Sequence, residues 1–546
     1  MQENCPKNIV LRKIETILGK KEIGSLKKQI DTKGILERSR KLHQILIIEG
    51  FAVGIVAGLV TILYRLALTY ADEVLQMVLS FSKNHVWAMV GWFGALFLLA
   101  VLCGKLVDWE PMASGSGIPQ LEGEMAGQIK QTWWKVILAK FIGGIAGMLG
   151  GLSLGREGPS IQLGAMAGKG FSRILGRSRT EEKFLLTCGA SAGLAAAFNA
   201  PLAGVMFSLE EIHKNFSVTV LVSVMTASIT ADFLSKNVFG LKPVFQFQVA
   251  DALPLRYYWL LLVLGVLLGV LGAFYNWFTL KVQALYQKPK RLGNCTRMMI
   301  PFLLAGVLGF TAPQLLGSGH HMVTMLTDGS LVLPAIILLL IGKFLFSAIS
   351  FGSGAPGGIF FPLLVLGCYI GGAFGQAAVQ FVGVDPVFVH NFIILAMAGY
   401  FTAIVRAPIT GIILIFEMTG SFSQMLSLSV VSIVAYIIAN LLRSHPIYES
   451  LLENILKRQG KVAETPAGEK MIYEYVVHHG AWLERKRVGD VDWPKNCLLV
   501  AIKRGETELI PKGQTRIRAG DIIVTLTDEA ELAKVCRKME QICGEG

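Results

Sequence analysis

Five apolar runs between Ile45 and Leu442 are each long enough to cross the roughly 30 Å hydrocarbon core of a bilayer. They read ILIIEGFAVGIVAGLVTILY, VWAMVGWFGALFLLAVLCG, WLLLVLGVLLGVLGAFYNWF, LVLPAIILLLIGKFLFSAI and LSLSVVSIVAYIIANLL. A bilayer is therefore the solvent for most of this chain, and helices that satisfy their own backbone are the elements it allows. Composition agrees: 53% of the 546 residues are hydrophobic and 16% charged, with a mean hydropathy of +0.55. The reading is an all-α polytopic membrane domain over about residues 45–445.

The flanks differ. Residues 1–44 alternate apolar and basic positions (LRKIETILGKKEIGSLKKQI) without a short apolar core and small-residue cleavage site, which argues against a secretory signal peptide. Their Lys/Arg excess predicts a cytoplasmic N-terminus, as a solvated basic tail or a surface helix on anionic lipid. The net charge of +13 calls for no nucleic-acid partner. Eight scattered cysteines, with no C-x-x-C pair and no histidine at zinc spacing, suggest neither a disulfide framework nor a metal site, and no cofactor is read. Past Pro446 the chain turns polar. Residues 446–468 read as a linker helix, and 469–546 as a small α+β cytoplasmic domain: strand, hairpin around Arg504–Gly505, strand, amphipathic helix.

Inside the membrane region two stretches match. FNAPLAGVMFSLEE (Phe198 to Glu211) and VRAPITGIILIFEM (Val405 to Met418) share A-P-x-x-G, five apolar or small residues and a Glu. Roughly the same offset relates GREGP (Gly155 to Pro159) to GIFFP (Gly358 to Pro362), so the domain is an internal repeat with halves of about 45–240 and 255–445. Short, Gly/Pro-interrupted apolar segments in corresponding places of two halves point to a transporter's binding site. Gly158 to Lys169 spans about half a bilayer as helix, so the GREGP helix is expected to start near the midplane and end at a basic loop, Lys169–Lys183. The pieces flanking Asn199–Ala200–Pro201 predict a re-entrant pair that returns Glu210 and Glu211 to the cytoplasmic side.

A half-helix with a buried N-terminus presents unpaired N–H groups and about half a positive charge, which makes an anion site. SGSGIPQLEG (Ser114 to Gly123), GREGP and GSGAPGGIFFP (Gly352 to Pro362) each supply glycines for close backbone approach, among them Gly115 and Gly158, then a Pro in the first turn. Ser116 adds a hydroxyl. No Lys or Arg cage is apparent nearby, so binding by partial charges is expected. Glu157 lies at such an N-terminus. Its carboxylate can stand where an anion would, and protonation would clear the place. An ion pair with Arg156 is the competing reading, disfavoured because consecutive helical side chains diverge.

GSGIP at Gly115–Pro119, GREGP at Gly155–Pro159, GGIFFP at Gly357–Pro362 and Tyr448 of HPIYESLL resemble the signature segments of the CLC family of chloride channels and chloride/proton antiporters, over about residues 45–455. That resemblance implies tandem inverted repeats, a homodimer in the cell membrane with one pore per subunit, and cytoplasmic termini. It further implies chloride held by the Ser116 and Tyr448 hydroxyls and the Ile359 and Phe360 amides, with Glu157 as gate and outer proton site. A second, inner glutamate marks the family's antiporters and matches Glu211, which implies coupled chloride/proton exchange. The alternative is a passive voltage- or ligand-gated chloride channel, or a relative selecting another halide. Residues 469–546 resemble the TrkA-C (RCK C-lobe) regulatory domain through their strand order and RAGDIIVTLTDEAEL, which implies a small-molecule ligand for that unit.

Two rivals fall on chemistry. GASAG (Gly189 to Gly193) reads G-x-S-x-G, but a hydrolase needs a histidine base in reach of Ser191, and the histidines fall in tails, loops or span ends. A potassium channel needs a T-V-G-Y-G-type filter, which the chain lacks.

Overall fold

The computed structural model describes residues 32–544 apart from 215, 217, 242–243, 246–252, 288–292, 330, 421, 461–469, 495–496, 506 and 529–531. The basic segment up to residue 31 and positions 461–468 of the expected linker lie outside the described residues. Two compact units divide the chain, Met1–Leu452 and Glu453–Gly546.

In the first unit the chain forms α1 (Thr32–Ser82), α2 (Val86–Trp109), α3 (Ile118–Met125), α4 (Trp133–Leu149), α5 (Glu157–Ile174), α6 (Arg179–Phe198), α7 (Pro201–Phe207, continued by a π-helical turn Ser208–His213) and α8 (Val218–Phe239). The order then repeats as α9 (Tyr258–Gln287), α10 (Asn294–Thr311), α11 (His320–Thr327), α12 (Leu333–Gly352), α13 (Phe360–Val382), α14 (Val389–Val405), α15 (Pro408–Thr419) and α16 (Met425–Leu441). Next comes α17 (Ile447–Arg458). In both halves the third helix has eight residues, a length of about 12 Å that cannot span a bilayer.

Among the described residues seven helices are long and apolar enough to cross. They differ in how far protein encloses them. Only 22% of the apolar window of α2 is buried in protein, against 72% for α13 and 78% for the stretch ending in α14. Helices facing lipid must be Leu-rich all round, whereas helices enclosed by other helices carry small residues for close packing, which thins their apolar signal.

Backbone contact between α5 and α6 shows this. A Cβ on Gly164 would strike the Gly189 carbonyl and lie 3.0 Å from the Gly193 Cα, while one on Gly193 would lie 2.9 Å from the Ser160 carbonyl carbon. Gly189 and Gly193 are therefore a packing seam, and the imidazole of His213 meets α6 at Thr187, 3.1 Å away, rather than at Ser191. Gly193→Leu is expected to destabilise the unit by about 3 kcal/mol through overpacking, seen as a lowered melting temperature of the detergent-solubilised protein.

The halves exchange contacts. Glu210, at the end of the first repeat stretch, accepts from the N–H groups of Ile409 (3.3 Å) and Thr410 (2.8 Å) at the start of α15. Its repeat mate Glu417 accepts from Leu202 (3.1 Å) and Ala203 (2.7 Å) at the start of α7. Reciprocal capping of this kind relates the halves by a two-fold, and the unit is an inverted repeat of broken and re-entrant helices. Each carboxylate meets orphan N–H donors that lipid could not satisfy.

Two readings need correcting. The GREGP helix does not stop at Lys169: α5 runs eighteen residues to Ile174, because Lys169 is buried and paired with Glu124. Composition changes at Pro446, yet Ile447, Tyr448 and Leu451 of α17 are buried in the membrane unit's core.

The second unit is a four-stranded antiparallel sheet in the order β1-β4-β2-β3, built from β1 (Lys470–Val476), β2 (Cys497–Arg504), β3 (Thr507–Leu509) and β4 (Ile522–Asp528), and it is followed by α18 (Leu532–Cys543). Its core gathers Val477, Leu483, Ile502, Ile517, Ile523, Val535 and Met539. At its rim Arg504 donates twice to the buried Asp521, Nε to Oδ1 at 2.8 Å and Nη2 to Oδ2 at 2.7 Å, a geometry that favours Arg over Lys.

Candidate ion-translocation site

The three Gly/Pro loops, far apart in sequence, meet at one place. Gly155 and Gly358 exchange backbone hydrogen bonds, N to O at 2.6 and 2.8 Å, as a short antiparallel bridge. Gly115 donates to the Gly354 carbonyl (3.3 Å) and accepts from Gly357 N (3.0 Å), and the Ser114 hydroxyl donates to the same Gly354 carbonyl (2.9 Å). The N-termini of α3, α5 and α13 are thereby clamped around a shared, buried point. Glycine is required for the approach: a Cβ on Gly158 would strike the Ser116 hydroxyl, and one on Gly358 would lie 3.1 Å from Gly158 N.

Behind the first loop stands a cation that the sequence reading did not include. Lys140 of α4 is fully buried and donates to the carbonyls of Ala113 (2.9 Å) and Gly115 (2.5 Å). Its repeat mate Lys343 of α12 does the same for Leu315 (3.0 Å) and Gly317 (2.7 Å). The expectation of no nearby Lys or Arg is therefore corrected. These ammonium groups hold the loop carbonyls in place.

Glu157 opens α5 with no exposed surface. Its carboxylate faces the N–H groups of Arg156, Glu157 and Phe361 without reaching full hydrogen-bond geometry to any of them. A Cβ on Gly155 would strike Oε2 of Glu157 and lie 3.1 Å from Phe361 N, so the carboxylate sits at the bridge itself. Arg156 Nε lies 3.8 Å from Oε1. The expected divergence of these neighbours is thus overturned: although Arg156 has helical backbone angles at the N-cap, its long side chain brings the guanidinium back to the carboxylate.

The Ser116 hydroxyl is buried and has no hydrogen-bond partner among the described residues, and the same holds for Tyr448. Ile359 caps α13 and Phe360 begins it, both fully buried, so their amides are among the unpaired donors of that terminus. The Phe360 ring is wedged against Phe401 (4.8 Å) and Phe198 (5.4 Å) between ring centroids. Tyr448 lies within electrostatic reach of Glu211, Glu122 and Glu157. The turn before it is held by Asn276, which donates to the His445 carbonyl (3.1 Å), and by Arg406, which donates to that of Ser444 (2.7 Å).

The π-helical turn Ser208–His213 sends consecutive carboxylates apart. Glu210 goes to the start of α15. Glu211 goes inward, only 6% exposed, where its side chain meets that of Glu122 from α3. Glu211 is thus buried rather than a solvated helix end. Beside the pair, Lys214 binds Glu449 at 2.6 Å, and a cavity of about 570 Å³ lined by Glu122, His213, Lys214 and Glu449 leads away from it. Glu122 and Lys140 went unnoticed in the sequence because a lone charge in a short polar-looking segment reads as surface. The signal that could have found Lys140 is the repeat: GSG at Gly115–Gly117 recurs at Gly317–Gly319, each followed by an intramembrane lysine.

Paired half-helices aimed at one buried point, within two halves related by a two-fold, define an inverted-repeat membrane transport protein. The chain belongs to the voltage gated chloride channel family, whose sequence profile matches residues 95–440, and a TrkA-C domain profile matches residues 472–540. It is 36% identical over 426 residues to the H(+)/Cl(-) exchange transporter ClcA of Vibrio cholerae serotype O1 (strain M66-2), which covers 74% of this chain and 89% of that protein. Among solved structures it resembles a slow cyanobacterial Cl-/H+ antiporter at a TM-score of 0.73 and 28% identity, covering 76% of this chain and 99% of that one. A eukaryotic CLC transporter shares the fold at a TM-score of 0.63 and 22% identity, covering 75% of this chain and 74% of that one.

Proposed function

We propose that this protein exchanges chloride for protons across the cell membrane. The observation that carries the reading is two buried carboxylate sites, Glu157 at the meeting of three helix N-termini and Glu211 with Glu122 beside a cavity, with the buried Tyr448 within electrostatic reach of both. Chloride is held by the Ser116 and Tyr448 hydroxyls and by the Ile359 and Phe360 amides, with Gly115 and Gly158 letting the backbone close in. Glu157 acts as gate and outer proton site and Glu211 as inner proton site. Anion and proton then share the outer half of the path and part on the inner half. The termini are cytoplasmic, the protein is a homodimer with one pore per subunit, and residues 469–546 take a regulatory small molecule.

The deciding measurement is the reversal potential in a proton gradient with symmetric chloride. Coupled exchange displaces it from zero, and a reversal potential that ignores the proton gradient would refute coupling. Ser116→Ala and Tyr448→Phe are each expected to weaken chloride binding by about 1 kcal/mol, the worth of one neutral hydrogen bond. Calorimetric titration with chloride checks this.

A further inference from the structure

A cavity of about 910 Å³ lies among the end of α3, the start of α4, the end of α5 and the start of α6. Five cations line it, Lys130, Lys169, Arg173, Arg179 and Lys183, against two carboxylates, Glu124 and Glu182. Both carboxylates are already engaged: Glu124 pairs with buried Lys169, and Glu182 accepts from Arg173 Nη2 at 3.0 Å. Lys169 also donates to the Gln131 carbonyl at 2.6 Å, which fixes the floor. Lys130, Arg179 and Lys183 remain, all exposed and without an acidic partner among the described residues. Three unpaired cations on one concave wall concentrate positive potential and raise the local concentration of anions.

The surroundings say what kind of anion. Ile129, Trp133 and Leu186 make an apolar floor. Trp134, next to the lining Trp133, is 44% exposed and carries Lys135 Nζ 5.7 Å from its ring centre. An outward Trp with a lysine over it marks the headgroup level of a bilayer, and the Lys/Arg density of these loops marks its cytoplasmic side. Basic pockets between membrane helices on that side suit phosphate headgroups, and the guanidinium of Arg179 matches phosphate oxygens in pairs.

We propose that this cavity binds a phosphate group at the cytoplasmic headgroup level, presented by an anionic lipid or by a soluble phosphate compound, with lipid favoured by the outward Trp134. The test uses the purified full-length protein in neutral detergent, titrated calorimetrically with short-chain phosphatidic acid, short-chain phosphatidylcholine and inorganic pyrophosphate. Phosphatidic acid is expected to bind at least about tenfold tighter than phosphatidylcholine, and Lys130→Gln with Arg179→Gln to weaken it about thirtyfold. Chloride flux of that double variant in zwitterionic vesicles should match the unaltered protein, which verifies the fold. Pyrophosphate binding that needs the same two cations, with phosphatidic acid no better than phosphatidylcholine, would assign the site to a soluble phosphate and overturn the lipid source. Equal binding of all three ligands, or phosphatidic acid binding unmoved by the double variant, would overturn the site.

Discussion

In vesicles carrying Glu157→Gln, chloride flux is expected to persist, to lose its dependence on pH and to drive protons no longer, their movement falling to that of protein-free vesicles. The reason is positional. The carboxylate stands at the Gly155–Gly358 bridge, before the N–H groups of Phe361 and its own helix, in a place that favours negative charge. On the proposed function, an ionised Glu157 would compete with chloride for that place and a protonated one would yield it. The amide of Gln keeps the size but cannot titrate, so the competition and the proton carrier vanish together. Arg156, 3.8 Å away, remains and keeps the potential positive. Loss of chloride flux in a folded Glu157→Gln protein would remove Glu157 from the gate.

Glu211→Gln is expected to separate the two ions differently: chloride flux stays measurable while chloride-driven proton pumping collapses. Glu211 is the inward carboxylate of the π-helical turn, and anions need not pass it. Glu210 cannot stand in, since both its oxygens cap α15. Glu122 can, because it touches Glu211 and lines the cavity. Any residual pumping in Glu211→Gln should therefore vanish in the double variant with Glu122→Gln. Proton flux assayed against a gradient in reconstituted vesicles checks both. Unchanged pumping in the double variant would place the inner proton site elsewhere.

The half-helix motifs were readable because the chemistry they need is local. Close backbone approach demands glycine, a helix start tolerates proline, and both appear as letters at fixed spacing in GSGIP, GREGP and GGIFFP. The GASAG segment shows the opposite case. As letters it fits a nucleophile elbow as well as a packing seam, and only the approach of Gly164 to Gly189 and Gly193 distinguishes them. Charges were the least legible. Lys140, Lys169, Glu122 and Glu210 read alike as polar residues near segment ends, yet each is satisfied or buried by a partner remote in sequence or in the other half.

Reading along the chain was enough to establish the bilayer as solvent, the repeat, the broken helices and a carboxylate at the start of one of them, all of which follow from apolar length, glycine and proline spacing, and a charge at membrane depth. Folding settled the rest: which loops meet, which of two adjacent glutamates turns inward, and which cations hold the backbone rather than an ion. Those outcomes depend on contacts between residues separated by 25 to more than 200 positions. A buried charge is stabilised by whichever dipole or counter-charge the fold brings to it, and no local pattern in the chain carries that information.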